Sequence, residues 1–326
     1  MTLKVEPLVT IIVPSFNKGI YIEDTIESVI QQTYINWELL IIEDGSTDNS
    51  VQLISKYLEL DKRICLINSK QNKGANVCRN IGINAAKGEY LIFLDADDIL
   101  SIDCLTNRIK TITQYPELDF TVHTLQIFNK KIGDNDFKWL PKVKNPLKKF
   151  LSHQLPWQTM QPIWKLKFVL KINGFDETFQ RLQDVEFHTR VLLQPNVNYL
   201  LINDSPDCFL RIDNARKNFD EFNFLCRWVN SVHLYCDKFY NKVEANKRKY
   251  LLGTIYRIIE QVSHQYKLNS ISFNQFLELQ KSIKDIQIYK SVYFLKNFYL
   301  YLAWKYNISK FKIPGLNYFL HKLIIL

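Results

Sequence analysis

The chain has 326 residues, of which 47% are hydrophobic and 23% are charged, and its formal net charge is +9. These proportions are typical of a globular protein with a large core, and they exclude an intrinsically disordered chain. The positive charge favours a partner rich in negative charge, such as a phosphorylated ligand, an anionic membrane surface or a nucleic acid. Since no DNA- or RNA-binding motif accompanies the charge, we expect no nucleic-acid partner.

The first hundred residues alternate between apolar runs and amphipathic segments. The apolar runs predict buried strands at residues 9–14, 38–43, 63–67 and 89–94. The segments between them predict helices at residues 21–32, 51–58 and 75–86. This alternation predicts an α/β fold with a mostly parallel sheet and right-handed crossovers. The pattern loosens after about residue 107 and becomes helical, rich in lysine and aromatic residues, from about residue 219.

Polar segments follow three of the predicted strands, where a parallel sheet binds its ligands. They are residues 14–17, 44–48 and 95–98. The last contains Asp95, Asp97 and Asp98, whose charges raise one another's pKa unless a cation offsets them. Carboxylate ligands of this kind suit Mg²⁺ or Mn²⁺. The alternative is that Asp98 or Ser101 caps the next helix, which leaves Asp95 unexplained.

Three further polar groups have a structural interpretation, and two of them also have a chemical one. Asp44 could accept hydrogen bonds from a base or ribose, or belong to an ordinary strand-to-helix turn. Arg79 could face a diphosphate or be a solvated helix residue. The segment GFDETFQRLQDVEF, which contains Asp176, Glu177, Asp184 and Glu186, is by itself only an acidic loop and helix. Taken one at a time, Asp44 and Arg79 leave both interpretations open.

Three segments, taken together and in order, carry a family pattern. They are VTIIVPSFNKGIYIEDTIESVIQQTYINWELLIIEDGSTDNS, NKGANVCRNIGINAAKGEYLIFLDADD and NGFDETFQRLQDVEF. Over roughly residues 8–190 the chain resembles the family 2 glycosyltransferases of the GT-A fold. The resemblance implies transfer of a sugar from a nucleotide-sugar, expected to be a UDP-sugar, to a glycan or a lipid-linked glycan.

The resemblance also implies a domain organisation. We expect a GT-A glycosyltransferase domain over residues 1–218, followed by a helical C-terminal region over residues 219–326. Within the first domain, the nucleotide-sugar half would span about residues 8–106 and the acceptor half about residues 107–218.

By position, the resemblance assigns residues to the donor site. Pro14 and Phe16 match residues that line the base and ribose, and Asp44 matches the acid that recognises the base. Arg79 matches an arginine near the nucleotide. Asp95, the first acid of the D-x-D pair, is the expected ribose contact.

The resemblance implies a divalent cation, Mn²⁺ or Mg²⁺, as cofactor. Asp97 is the expected direct ligand, with Asp95 as its companion in the D-x-D pair. Members of the family often carry a histidine near the metal, in a segment matched here by FLRIDNARKN. This segment has no histidine, and Asp213 could take its place as a third protein ligand.

The resemblance places the catalytic base in the segment around residue 184. Asp184 matches the acid that removes the proton from the acceptor hydroxyl, and Gln183 stands where the family has another acid. Glu186 is the second choice. A single displacement assisted by such a base inverts the anomeric configuration.

Two other classes of protein share part of this pattern. A Rossmann dehydrogenase is disfavoured because the first strand leads into PSFNKG and not into G-x-G-x-x-G. A catalytically idle nucleotide-sugar-binding module remains the alternative function; the intact D-x-D pair and Asp184 favour the enzyme.

The C-terminal stretch suggests a location for the protein. Residues 286–326 contain no acid but many aromatic residues, a composition that suits the membrane interface. Their lysines are Lys290, Lys296, Lys305, Lys310, Lys312 and Lys322. The alternative is that this stretch packs on the catalytic domain with its lysines in solvent. Six isolated cysteines and the lack of a signal peptide favour the cytoplasm, so we expect a cytoplasmic protein that could lie peripherally on the inner face of the cell membrane.

Overall fold

The computed structural model describes residues 6–212, 220–290, 294–309 and 315–325, with the side chains of 290 and 294–298 left undescribed. Asp213, the candidate third metal ligand, and the side chains of Lys290, Lys296, Lys310 and Lys312 lie outside the described residues. The chain forms two compact units. The sheet unit comprises the described residues of Met1–Lys144, Pro156–Glu177 and Gln194–Ala215, and the helical unit those of Asn145–Leu155, Thr178–Leu193 and Arg216–Leu326.

The sheet unit contains a larger and a smaller sheet. Its strands are β1 (Val9–Ser15), β2 (Trp37–Asp44), β3 (Ile64–Ser69), β4 (Tyr90–Phe93), β5 (Ile99–Leu100), β6 (Phe120–Val122), β7 (Leu125–Phe128), β8 (Lys138–Trp139), β9 (Pro162–Lys165), β10 (Tyr199–Leu201) and β11 (Cys208–Arg211). The larger sheet has the order β10-β6-β9-β4-β1-β2-β3, and the smaller has the order β5-β11-β7-β8. In the larger sheet β9 runs antiparallel to β4 and β6, and the other pairs are parallel. The expected mostly parallel α/β sheet is confirmed.

Helices cover the larger sheet and explain why its central strands are apolar on both faces. The helices of the sheet unit are α1 (Ile22–Ile30), α2 (Ser50–Leu60), α3 (Ala75–Ala85), α4 (Cys104–Gln114) and α6 (Leu166–Lys171). Helix α5 (Pro146–Leu151) lies between α4 and α6 in the chain and belongs to the helical unit. Every residue of β2 is buried. Helix α3 approaches β1 closely at Gly82, where an added Cβ would lie 2.4 Å from Ile12 Cγ2. Glycine at this position therefore lets the helix pack directly on the strand.

A buried ion pair ties the two sheets together. Arg108 on α4 has no exposed surface and donates to both carboxylate oxygens of Asp207, over 2.8 and 2.7 Å. It also donates to the carbonyl oxygen of Met160 over 2.8 Å. Burial by itself would raise the pKa of Asp207, but the Arg108 guanidinium holds that pKa below its usual value. Asp207 directly precedes β11, so this pair fixes the start of a strand that reaches the candidate site.

The helical unit contains the remaining helices. They are α5 (Pro146–Leu151), α7 (Gln183–Leu192), α8 (Glu221–Tyr240), a 3-10 helix (Ala245–Tyr250), α9 (Leu251–Lys267), α10 (Phe273–Lys284), α11 (Gln287–Lys290), α12 (Phe294–Ile308) and α13 (Leu316–Ile325). Helix α9 is central, since α5, α8, α10, α12 and α13 all contact it. The expected helical C-terminal region is confirmed. The segments that carry α5 and α7 group with this unit, although the chain on either side of each belongs to the sheet unit.

The described part of the C-terminal stretch contributes to the core of the helical unit. Leu300, Ala303, Trp304 and Ile324 are buried. The Trp304 ring meets that of Phe276 edge to face, with 5.4 Å between centroids. These apolar residues therefore have a packing partner within the chain. In the part of the chain that the structure describes, no helix combines the length and the hydropathy required to cross a membrane.

Candidate active site

The three polar segments predicted to meet do lie at one edge of the larger sheet. Strand β1 lies between β4 and β2 and is parallel to both, so the three strands end on the same side. Phe16 follows β1, Asp44 ends β2, and Asp95 comes two residues after β4. This edge is called the carboxyl edge below.

Asp95 at the carboxyl edge pairs with an arginine of α3. Arg79 Nη2 donates to Asp95 Oδ1 over 2.7 Å. The Arg79 side chain is 6% exposed, while that of Asp95 is 46% exposed. The guanidinium carbon lies 5.2 Å from the centroid of the Phe175 ring. A buried cation is therefore held in place by a carboxylate that remains open to a ligand.

Asp97 pairs with a lysine that the sequence analysis did not single out. Lys18 Nζ donates to Asp97 Oδ2, and both side chains are partly exposed. Lys18 belongs to the loop after β1, where its backbone N–H donates to Ser50 Oγ over 2.9 Å. The signal available in the sequence was its place in PSFNKG, the segment that leads away from the first predicted strand.

Asp98 has a structural role beside this pair. Its Oδ1 accepts the backbone N–H of Arg211 over 2.9 Å, which attaches β11 to the carboxyl edge. Burial raises the pKa of Asp98 well above its usual value, and the charges of Asp95 and Asp97 raise it further. The suggestion that Asp98 caps a helix is wrong, because the short strand β5 follows it and α4 begins only at Cys104.

Asp44 shapes the loop that precedes α3. Its two carboxylate oxygens accept the backbone N–H groups of Lys73 and Gly74, each over 2.8 Å. Gly74 has a φ of 93°, a backbone conformation that favours glycine. Asp44 itself is 3% exposed. Its assignment to base recognition stays a prediction, and the contact observed is with the chain's own loop.

The loop after β1 presents an aromatic ring at the edge. Phe16 is 41% exposed, and Pro14 precedes it within β1. Asn17 fixes the loop, since its N–H donates to Ser46 Oγ over 2.7 Å and its Oδ1 accepts the N–H of Thr47 over 2.8 Å. Phe16 therefore offers an apolar face on a loop that is tied to its neighbour, a suitable surface for a planar base.

Asn80 on α3 is a further residue that sequence reasoning missed. Its Oδ1 accepts the N–H of Phe175 over 2.8 Å, and its Nδ2 donates to the carbonyl oxygen of Phe175 over 2.9 Å and to Glu177 Oε1 over 2.8 Å. These bonds hold the NGFDE segment against the helix that carries Arg79. The Phe175 ring is thereby positioned under the Arg79 guanidinium.

The two candidates for the base lie on α7, in the helical unit, and differ in environment. Asp184 is half-buried, and the N–H of Val185 donates to its Oδ1 over 2.9 Å. Glu186 is 1% exposed and forms ion pairs with Arg190 and Lys238, over 2.8 and 2.7 Å. The environment of Glu186 is that of a structural acid, because two cations already hold its carboxylate.

The carboxyl edge offers a suitable set of donors for a divalent cation. Among residues of the described ranges, no group of three or more His, Cys, Asp and Glu side chains forms a metal site. Magnesium-type ions, however, need only one or two carboxylates when substrate phosphates complete the shell. Asp95 and Asp97 meet this requirement. Burial is the main cause of the raised pKa of Asp98 beside them, and the charges of Asp95 and Asp97, which a cation would offset, raise that pKa further.

Comparison with known protein families agrees with this geometry. The model of "Glycosyl transferase family 2" matches residues 10–169. The match contains β1 except its first residue, β2 to β4, the carboxyl edge, and the two cations Arg79 and Lys18 that pair with its carboxylates. Residues 10–169 therefore match a glycosyl transferase family 2 domain.

Two relatives and two solved structures are similar to the chain. The putative teichuronic acid biosynthesis glycosyltransferase TuaG of Bacillus subtilis is 40% identical over 105 residues, 32% of this chain and 42% of that protein. Glycosyltransferase GlyG of Streptococcus pneumoniae is 34% identical over 131 residues, 40% of this chain and 42% of that protein. The chain thus spans less than half the length of these relatives.

Among solved structures, residues 1–349 of S. aureus TarS match with a TM-score of 0.64 at 17% identity, covering 92% of this chain and 88% of that one. The mannosyltransferase PcManGT of Pyrobaculum calidifontis, solved with GDP-Man and Mn²⁺, matches with a TM-score of 0.53 at 15% identity, covering 95% and 89%. TarS 1–349 has also been solved with UDP and with UDP-GlcNAc. These likenesses confirm the GT-A fold.

Proposed function

We propose that the protein transfers a sugar from a nucleotide-sugar donor to a glycan or lipid-linked glycan acceptor. The observation that carries the proposal is the carboxyl edge, where Asp95 and Asp97 lie at the end of β4 and pair with Arg79 and Lys18. This arrangement combines oxygen ligands for a cation with positive charges for a diphosphate. The nucleotide-sugar complexes of TarS and PcManGT support the same kind of donor, and we propose a UDP-sugar.

Asp97, with Asp95, would hold a divalent cation, either Mn²⁺ or Mg²⁺. Such an ion stabilises the negative charge that develops on a departing nucleoside diphosphate. Arg79 adds a fixed positive charge, because its guanidinium is buried between Asp95 and Phe175. Lys18 balances the charge of Asp97 and would exchange this contact for one with the donor phosphates.

Asp184 is proposed as the general base. It would accept the proton of the acceptor hydroxyl as the hydroxyl oxygen attacks the anomeric carbon and the bond to the diphosphate breaks. One such displacement inverts the anomeric configuration. Glu186 is the weaker candidate because its carboxylate is buried and already paired with Arg190 and Lys238. The remaining alternative is a module that binds the donor without turnover.

A nucleotide-release assay tests the proposal. The protein would be incubated with UDP-Glc, UDP-GlcNAc, UDP-Gal and GDP-Man, with Mn²⁺ and with bacterial glycolipid extracts as acceptors. We expect acceptor-dependent release from one UDP-sugar. Asp97→Asn should abolish it, and Asp136→Asn, which neutralises an exposed acid elsewhere, should not. Donor binding without release in any acceptor mixture would instead favour the idle module.

A further inference from the structure

Three stretches of the chain that contain no acidic residue contribute to the helical unit. They are residues 137–175, 245–259 and 286–326. Among the elements of these stretches are α5 in the first, the 3-10 helix Ala245–Tyr250 in the second and α13 in the third. The 3-10 helix contacts both α5 and α13. A surface with a strong excess of positive charge results from segments that are far apart in sequence.

Side-chain contacts confirm that the cations of these elements are neighbours. Lys148 Nζ of α5 lies 4.8 Å from the centroid of the Tyr250 ring, and Lys249 Nζ lies 5.7 Å from the same centroid. On α13, Lys322 Nζ lies 4.6 Å from the centroid of the Tyr318 ring. Lys322 lowers the pKa of Tyr318, and the charge of Lys149 on α5 contributes in the same direction. The elements therefore share one charged environment.

Exposed aromatic rings accompany these charges. Tyr318 is 66% exposed and Phe319 is 56% exposed, although neighbouring Leu320 and Ile324 are buried. Phe319 and Tyr318 precede Lys322 by three and four residues on α13, so the two rings and the ammonium share a helix face. Glu244, which directly precedes the 3-10 helix, ion-pairs with Lys247 at 2.8 Å. The cations of the three elements are Lys148, Lys149, Lys247, Arg248, Lys249 and Lys322.

We propose that this basic aromatic surface, formed by α5, the 3-10 helix and α13, docks on an anionic lipid bilayer. Lysine and arginine are attracted to the negative surface potential of such a bilayer. Tyrosine and phenylalanine rings favour the headgroup region of a bilayer, because an aromatic ring there contacts the acyl chains while polar groups nearby remain hydrated. A soluble polyanion would use the charges but leave the Phe319 ring without a partner. The bilayer is therefore the occupant that matches both features.

This surface differs from the membrane-lying tail expected from the sequence. Leu300, Trp304 and Ile324 of the tail are buried within the helical unit, so they are not available to enter a membrane. Only the exposed face of α13 takes part, together with α5 and the 3-10 helix, which lie far from the tail in sequence. Truncation at Asp285 would remove α12 and α13, which pack on α9, and would therefore disturb the core of the helical unit. Point variants are the suitable test for this reason.

Vesicle flotation tests the proposal on the full chain, with phosphatidylcholine vesicles that contain or lack phosphatidylglycerol. The wild type should float only with the anionic vesicles. Since a lysine near an anionic surface contributes about fivefold to partitioning, Lys148→Gln/Lys149→Gln/Lys322→Gln should bind roughly a hundredfold more weakly. A control with the same change in charge, Lys62→Gln/Lys130→Gln/Lys131→Gln, neutralises exposed lysines of the sheet unit and should bind like the wild type.

A second variant tests the aromatic part. Tyr318→Ser/Phe319→Ser keeps every charge and should lose the binding that survives added salt, with an unchanged circular dichroism spectrum. Three results would overturn the proposal: equal losses in the two lysine triples, no effect of the aromatic pair, or binding of heparin without binding of anionic vesicles. Because flotation needs neither donor nor turnover, its failure is separable from failure of the proposed transferase activity.

Discussion

Replacing Arg108 with methionine removes the cation from a fully buried ion pair. Arg108 has no exposed surface, and Asp207, which accepts two hydrogen bonds from it, is 5% exposed. Methionine preserves much of the apolar stem and leaves the Asp207 carboxylate without its counter-charge. The carbonyl oxygen of Met160 also loses a donor.

The expected cost follows from the burial of both partners. Breaking a buried ion pair by removing one member destabilises a protein by about 3–5 kcal/mol. For a unit of this size the melting temperature should fall by about 6–20 °C. Because the folded-state pKa of Asp207 is lowered, the pair's contribution is present above the ordinary aspartate pKa and is lost as pH falls through the lowered value. The difference between variant and wild type should therefore shrink in acid.

Chemical and thermal denaturation at neutral and acidic pH measure this cost. Lys56→Met is a matched control in the same unit, because Lys56 pairs with Glu23 at 3.8 Å on the surface. Such an exposed pair contributes about 0–1 kcal/mol. A loss below 1 kcal/mol for Arg108→Met at neutral pH, or a loss that does not change in acid, would refute the reasoning.

The remaining predictions concern the site and its support. Asp184→Asn should lower turnover by about 10²–10⁴-fold in the nucleotide-release assay with donor affinity retained in calorimetry, and normal turnover would exclude it as the base. Glu186→Gln should lower the melting temperature because Arg190 and Lys238 lose their carboxylate. Lys18→Met should tighten Mn²⁺ binding to the nucleotide-free protein in calorimetry, and weaker binding would contradict the exchange proposed for Lys18. Gly82→Ala should destabilise the sheet unit in denaturant titrations, since its Cβ would overlap Ile12, and unchanged stability would argue against close packing of α3 on β1.

The edge that carries the candidate site was predictable because strand periodicity and strand-end polarity are local signals. The apolar runs of β1, β2 and β4 become buried, whereas β3 at the edge of the sheet is mostly half-buried or exposed, and these parallel strands end on the same side of the sheet. Asp95 and Asp97 could therefore be placed from the run that precedes them. Asp44 could be placed in the same way, although its contact with the backbone of residues 73 and 74 could not.

Contacts between distant segments were not predictable in this way. The pairing of Lys18 with Asp97 joins residues 79 positions apart, and that of Asn80 with Phe175 joins residues 95 positions apart. The sequence offers no periodicity that links such positions. The antiparallel direction of β9 was not predictable either, because it depends on the path of the chain between β8 and β9. These residues become neighbours only when the chain has folded.

The sequence also could not predict which helices belong to the helical unit. Composition indicates a helical region from about residue 219, and the structure has one. Composition gives no sign that Asn145–Leu155 and Thr178–Leu193 group with that region, because their own residues resemble those around them. The grouping depends on tertiary contacts, such as those of α7 with α5, and it places Asp184 in the helical unit.

Calorimetric titration of UDP tests the central claim most directly, namely that the carboxylates after β4 bind a nucleotide through a divalent cation. Wild type, Asp97→Asn and Asp136→Asn would each be titrated with Mn²⁺ present and again with excess chelator. The proposed role predicts binding by wild type and Asp136→Asn only when Mn²⁺ is present, and none by Asp97→Asn. UDP binding of equal strength in chelator, or undiminished binding by Asp97→Asn, would contradict it.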